Sequence, residues 1–193
     1  VSGTLPQGES NDFYVENDSV LVWFSFDGYH GPVTLEINNK LSKPVYIDWS
    51  KSSLIINGES YNYTPVNVVD VIPPHAYISR TPASLALLPY DLPGKEHATK
   101  LRLMSGERTY NAQRYDFEPD RTPLAFRCFL SLATDEAFTD PFFIDTDFWV
   151  SDITTTTQAD PSAFQRLGNQ FYLSQPTNAG VIMSGVGTVS LLL

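Results

Sequence analysis

The chain has 193 residues, 42% of them hydrophobic and 18% charged, with one cysteine and a formal net charge of −10. A folded body of this length buries roughly 70% of the surface its unfolded chain exposes, enough for a core without staples, and a single cysteine excludes an intrachain disulfide. The negative charge opposes phosphate backbones and anionic membrane surfaces; with the 12 Lys and Arg scattered along the sequence, no nucleic-acid or membrane-surface binding is expected.

Residues 1–12 are polar and rich in Gly, Pro, Ser and Asn, a mobile lead-in by composition. Residues 13–193 are then expected to form a single domain. Ser19 to Phe26, SVLVWFSF, is a strand apolar on both faces. Val33, Leu35 and Ile37 alternate with polar neighbours, and Val45, Ile47 and Trp49 repeat the alternation after Lys43-Pro44, so both runs read as half-buried strands with Trp49 on the core side. Ser53 to Ile56 leads into Asn57-Gly58, a pair suited to the two positive φ angles of a type I′ hairpin turn. Ile72-Pro73-Pro74 favours an extended edge path, and Pro82, Pro89 and Pro93 mark an irregular region. Leu101 to Met104 is a short strand. Leu124, Phe126, Cys128, Leu130 and Leu132 share one face of a longer one, and Phe142 to Ile153 alternates aromatic and acidic residues. Asp160 as N-cap, Pro161 at the first helical position and Gly168 as the stop predict the one short helix. Phe171 to Leu173 and Gly187 to Leu192 close the chain as strands. Many short strands with abundant turns predict an all-β, immunoglobulin-like antiparallel sandwich with long loops.

The order of several strings carries a resemblance. These are Asp18-Ser19-Val20, Gly31-Pro32-Val33, Asn39-Lys40-Leu41 through Tyr46-Ile47-Asp48-Trp49, Ile56-Asn57-Gly58, Ile72-Pro73-Pro74, Pro123-Leu124 with Phe126-Arg127 and Phe129-Leu130, Phe148, and Gln170-Phe171-Tyr172. Together they resemble a family of cell-envelope proteins of unknown function, often predicted lipoproteins, from Bacteroidetes-type bacteria. The resemblance implies secretion to the periplasm or outer cell surface, with membrane attachment through a lipid-bearing cysteine upstream of Val1. It implies no catalytic residues.

No motif assembles an active site. His30, His75 and His97 lie far apart in turn-like segments, without zinc-ligand spacing. Cys128 sits between Phe126 and Leu130 on an apolar face and reads as an inert thiol. Ser184-Gly185 lacks the surroundings of a nucleophile elbow, and Gly180 to Gly187 lacks the lysine of a phosphate-binding loop. Asp140, Asp145, Asp147 and Asp152 are the acidic group closest to a calcium site, which needs six to eight oxygens; solvated acids flanking an aromatic strand are the plainer reading. Among the aromatics, Trp23, Trp49, Trp149, Tyr46, Tyr61 and Tyr63 are weighed as a stacking platform against core packing. Tyr46 and Asp48 fall on the face opposite Trp49 and, with Trp23, are the candidate ligand contacts. Asn17-Asp18-Ser19 and Asn62-Tyr63-Thr64 match the N-glycosylation pattern, and Asp18-Ser19-Val20 resembles the O-glycosylation pattern of those bacteria. The expectation is a non-enzymatic envelope module without cofactor, meeting a protein or a glycan, with a carbohydrate-binding module as the alternative.

Overall fold

A computed structural model of the chain describes residues 13–63, 68–85, 92–159, 164, 168–172 and 188–191. In chain order the strands are β1 (Phe13–Glu16), β2 (Val20–Ser25), β3 (Gly28–Tyr29), β4 (Pro32–Asn39), β5 (Val45–Ile56), β6 (Glu59–Asn62), β7 (Val69–Ile72), β8 (Tyr77–Ser84), β9 (Thr99–Ser105), β10 (Arg108–Asp116), β11 (Ala125–Ala133), β12 (Phe142–Thr155), β13 (Gln170–Tyr172) and β14 (Thr188–Leu191). The described helical structure is one 3₁₀ turn, Lys95–His97. The helix expected from Asp160 to Gly168 lies almost wholly outside the described residues.

Two sheets form the sandwich. One has the order β1-β2-β4-β8; in the other, β5, β11 and β12 lie side by side, with β6 and β7 both pairing with β5. The chain makes the β2–β4 pair, crosses to β5, β6 and β7, returns to place β8 beside β4, and crosses again to place β11 beside β5. This Greek-key connectivity is that of an immunoglobulin-like sandwich. The alternation expected of the sequence is what builds it: Val33, Leu35 and Ile37 of β4 and Val45 and Ile47 of β5 are fully buried, as are Cys128, Leu130 and Leu132 of β11. Asn57 and Gly58 turn β5 into β6 with φ of 48° and 88°, the pair of left-handed angles a type I′ turn requires.

On β2, where the sequence is apolar on both sides, pairing decides the faces. Val20, Val22 and Phe24 point inward, while Leu21 and Trp23 face out. Outward Trp23 is half-covered by its cross-strand neighbour Tyr14, ring centroids 4.8 Å apart. Across the interior, Phe148 of β12 meets Phe13, Phe24, Phe26 and Phe126 at centroid distances of 5.8, 5.2, 5.1 and 5.2 Å. Aromatic rings in tilted or offset contact add to the area they bury, and this cluster is the main junction between the sheets.

Two irregularities shape the edges. Between Asp48 and Ser53, β5 carries extra residues against β11. Buried Ser52 closes this bulge by donating to the Asp48 carbonyl at 2.7 Å and accepting the Ser131 N–H at 3.0 Å. Here Trp49 turns inward, 2% exposed, and its indole N–H donates to Asp70 of β7 at 3.0 Å. Arg80 of β8 donates to the same carboxylate from Nε at 2.8 Å and from a terminal nitrogen at 3.2 Å, which ties the two sheets at their edge. The second irregularity is in β8. Pro82 sits where its register against β4 shifts, and among the described residues β4 is the strand's one neighbour. An edge strand tolerates the missing N–H.

Strand β12 changes partners along its length. Residues up to Trp149 pair with β11, whereas 152–155 pair with β10 and 150–154 with β14. From Val150 to Thr154 every residue is buried, so both faces of this segment are covered. The β9–β10 hairpin is thereby hung on the end of β12 as an insertion between β8 and β11. On the other side of β12, β14 pairs with β13, which runs parallel to β3. Gly31 is needed beside this junction: its φ is +60°, and an added Cβ would stand 2.9 Å from the Phe171 ring.

Candidate functional site

The four acids weighed as a calcium site lie in different settings. Asp145 and Asp147 lie on the exposed face of β12, Asp140 in the exposed turn before it, and Asp152 is buried beyond Val150. Asp145 pairs with Arg127 at 3.3 Å. Asp152 pairs with Arg114 at 3.5 Å and accepts from Ser151 at 3.2 Å, fastening β10 to β12. Among the described residues no three His, Cys, Asp or Glu side chains converge on a metal position. The physical reason is strand geometry: Asp145 and Asp147 alternate onto the exposed face of β12, whereas Asp152 lies in the segment from Val150 to Thr154 where every residue is buried.

Asp48 also departs from expectation. It lies on the face opposite Trp49, but it is 5% exposed. Its carboxylate accepts from the Ser50 N–H and hydroxyl and faces the Lys51 ammonium at 3.2 Å. Burial acts to raise its pKa, but the Ser50 hydrogen bonds and the Lys51 charge outweigh it and hold the group below the usual carboxylate range. Asp48 therefore organises the β5 bulge and is not open to a ligand. Tyr46, beside it, is half-buried between Val71 and Ala133.

Other groups have structural settings. His30, His75 and His97 are exposed and belong to separate turns. Cys128 is fully buried, and burial pushes its thiol up to about 12. Because the chain has one cysteine, a thiol reagent should react with the native protein at least a hundredfold more slowly than with the denatured chain; rapid modification in native buffer would contradict this burial. Tyr63 is buried against Trp49, centroids 5.8 Å apart, and Tyr61 donates to Glu59 at 2.9 Å. The Asn17 carboxamide accepts the N–H groups of Ser19 and Val20, each at 2.8 Å, and forms the β1–β2 turn. Asn62 is exposed on β6, whereas Ser184-Gly185 and the Gly180 to Gly187 run lie outside the described residues.

Among the described residues, two concavities stand out. The first is a groove of about 550 Å³ on the outer face of β5, β11 and β12. Its floor carries Ile55, Ala125, Arg127, Asp147 and Trp149, with the Asn57-Gly58 turn and Pro119 at its rim. Cross-strand register places Ala125 opposite Trp149 and Arg127 opposite Asp147. Trp149 is half-buried, with Arg127 and Asp147 exposed. Arg127 is drawn toward Asp145, which leaves the Asp147 carboxylate without an ion-pair partner among the described residues. An indole, a guanidinium, a carboxylate and an aliphatic wall thus share one shallow surface. The strand alternation that identified the core also puts these residues outside, so the signal was present in the sequence.

The second, about 330 Å³, lies between the β9–β10 hairpin and the end of β12. Lys95 and Lys100 line it together with amide and hydroxyl side chains. These lysines are five residues apart in sequence, and only the hairpin brings their strand segment against Thr155 to Gln158.

No protein-family model, curated protein or solved structure matches the chain.

Proposed function

We propose that the chain is a non-enzymatic glycan-binding module of a bacterial cell envelope, acting through the Trp149 groove. The observation that carries the reading is the juxtaposition of Trp149 with Arg127 and Asp147 on an open sheet face. A pyranose ring presents an apolar face of C–H groups and a rim of hydroxyls. The first suits an indole; the second suits a guanidinium and a carboxylate that donate and accept in defined directions. A shallow groove on a rigid sheet binds without the deep enclosure that hydrolysis needs. The buried Asp48, Asp70 and Asp152 are engaged in holding strands together. Placement in the envelope rests on the sequence resemblance.

Glycan-array binding of the purified chain beside Trp149→Ala and Asp147→Asn tests the proposal. At least one neutral glycan class should bind the parent, and Trp149→Ala should weaken it about tenfold or more, equivalent to ~1.4 kcal/mol for one lost stacking surface. Absence of neutral-glycan binding, or equal binding by parent and Trp149→Ala, would overturn it. A second reading, contact with a protein, is favoured by apolar residues farther along the same sheet: Val71, Val69 and Phe143 are 49, 38 and 52% exposed. In that case Val71→Ser and Phe143→Ser, not Trp149→Ala, would abolish partner capture.

A further inference from the structure

The distribution of charge along the chain is uneven in a way the folded hairpin makes meaningful. Lys95, Lys100, Arg102, Arg108 and Arg114 are five of the chain's 12 cationic residues, and between them stand only the acids Glu96 and Glu107. The expectation of scattered Lys and Arg is corrected here. In a protein of net charge −10, the β9–β10 insertion is locally cationic. The register places Lys100 opposite Gln113 and Arg102 opposite Asn111, so all four stand on one face of the hairpin.

The cleft beneath this face has fixed walls. The Asn111 N–H donates to the Gln158 side-chain oxygen at 2.7 Å, and the Thr156 hydroxyl donates to the Asn111 carbonyl at 2.7 Å. The Gln158 N–H in turn donates to Thr156 at 3.2 Å. Against these satisfied walls, Lys95, Lys100, Asn111, Gln113 and Thr157 line the cleft and, among the described residues, their side chains have no intramolecular polar partner and no carboxylate lines the cleft beside them. Glu96, the nearest acid in sequence, leans toward His97 at 3.7 Å.

We propose that this cleft binds a carboxylate-bearing sugar residue, a uronic acid of an acidic polysaccharide, at a site separate from the Trp149 groove. Two ammonium groups without a local counter-charge select an anion. The remaining lining discriminates among anions. Carboxamides and a hydroxyl both donate and accept, which matches a ring of hydroxyls, whereas phosphate asks for donors alone. The Asn111 N–H, a backbone donor at the cleft, is already used by Gln158, so the cleft is not built as a phosphate cradle. A nucleic acid would need a longer basic track than this hairpin offers, against an acidic remainder.

The test is calorimetric titration of the full chain with trigalacturonate, with galactose and inorganic phosphate as comparators, repeated on Lys95→Gln/Lys100→Gln and on Trp149→Ala. Both lysines are exposed, and unchanged thermal unfolding of the double variant will confirm that its fold is intact. Trigalacturonate should bind with an affinity that falls as salt is raised. It should weaken about tenfold or more in the double-lysine variant, keep its affinity in Trp149→Ala, and greatly exceed galactose and phosphate. The proposal is overturned by no uronate binding, by equal binding in the double-lysine variant, or by phosphate or galactose binding as tightly. Loss in Trp149→Ala alone would assign the sugar to the other groove and also overturn it.

Discussion

Phe148→Ala is expected to lower the free energy of unfolding by about 4 kcal/mol, in the upper range for deleting a fully buried phenylalanine. Phe148 is 2% exposed and touches four other phenylalanine rings, three of them on β1 and β2 or just beyond and one on β11. The cavity left behind would open at the junction of the two sheets, where rigid strands on both sides limit collapse. Phe143, on the same strand but the opposite face and 52% exposed, is the internal control. Its ring stacks on Phe129 at 5.3 Å, and its replacement by alanine should cost no more than about 1 kcal/mol. Urea unfolding of the two variants measures the difference. Equal destabilisation would mean that β12 does not face the four-stranded sheet as described.

Asp70→Ala should destabilise by about 2 to 3 kcal/mol. Removing this carboxylate leaves the buried Trp49 indole N–H without its acceptor and Arg80 without its counter-ion. The Arg80 side chain is 41% exposed, so water compensates it in part and the cost falls short of a fully buried pair. Asp70→Asn separates the contributions, since an amide oxygen can still accept from Trp49 but offers no charge to Arg80; its loss should be about half. Acid unfolding gives an independent reading. Burial tends to raise the Asp70 pKa, but the Arg80 and Trp49 hydrogen bonds with the Arg80 charge win and hold it below the ordinary value. A depressed folded-state pKa means stability that is fully present above the unfolded value of about 3.9 and is lost as pH falls through the lower folded value. In Asp70→Ala that part of the acid destabilisation should vanish, leaving a flatter stability curve below about pH 4. A curve parallel to that of the parent would refute the role assigned to Asp70.

The sandwich was legible where one face is apolar and the other is not. Val33, Leu35 and Ile37, Val45, Ile47 and Trp49, and the even-numbered positions from Leu124 to Leu132 declare their strands by period two. Asn57-Gly58 declares its turn by steric need. Strand β8 was hidden because Pro82 lies within it and only its place at a sheet edge makes that tolerable. Strand β10, RTYNAQRYD, was hidden because much of its hairpin faces water and its hydrophobic alternation is weak. The register shifts were hidden too, and the one in β5 decides the fate of a candidate residue by enclosing Asp48. Both candidate concavities arise from cross-strand neighbours far apart in sequence, such as Arg127 and Asp147 or Asn111 and Gln158. No local motif could have announced them.

The three tryptophans allow a direct test of the proposed glycan groove. Their indole N–H groups give separate signals in a nitrogen-resolved NMR spectrum, and their settings differ: Trp49 is buried and bonded to Asp70, Trp23 leans on Tyr14, and Trp149 lines the groove. Titration with a neutral glycan chosen from the array should move the Trp149 signal in a saturable way while those of Trp49 and Trp23 stay in place. A stationary Trp149 signal, or a shift confined to Trp23, would contradict the account.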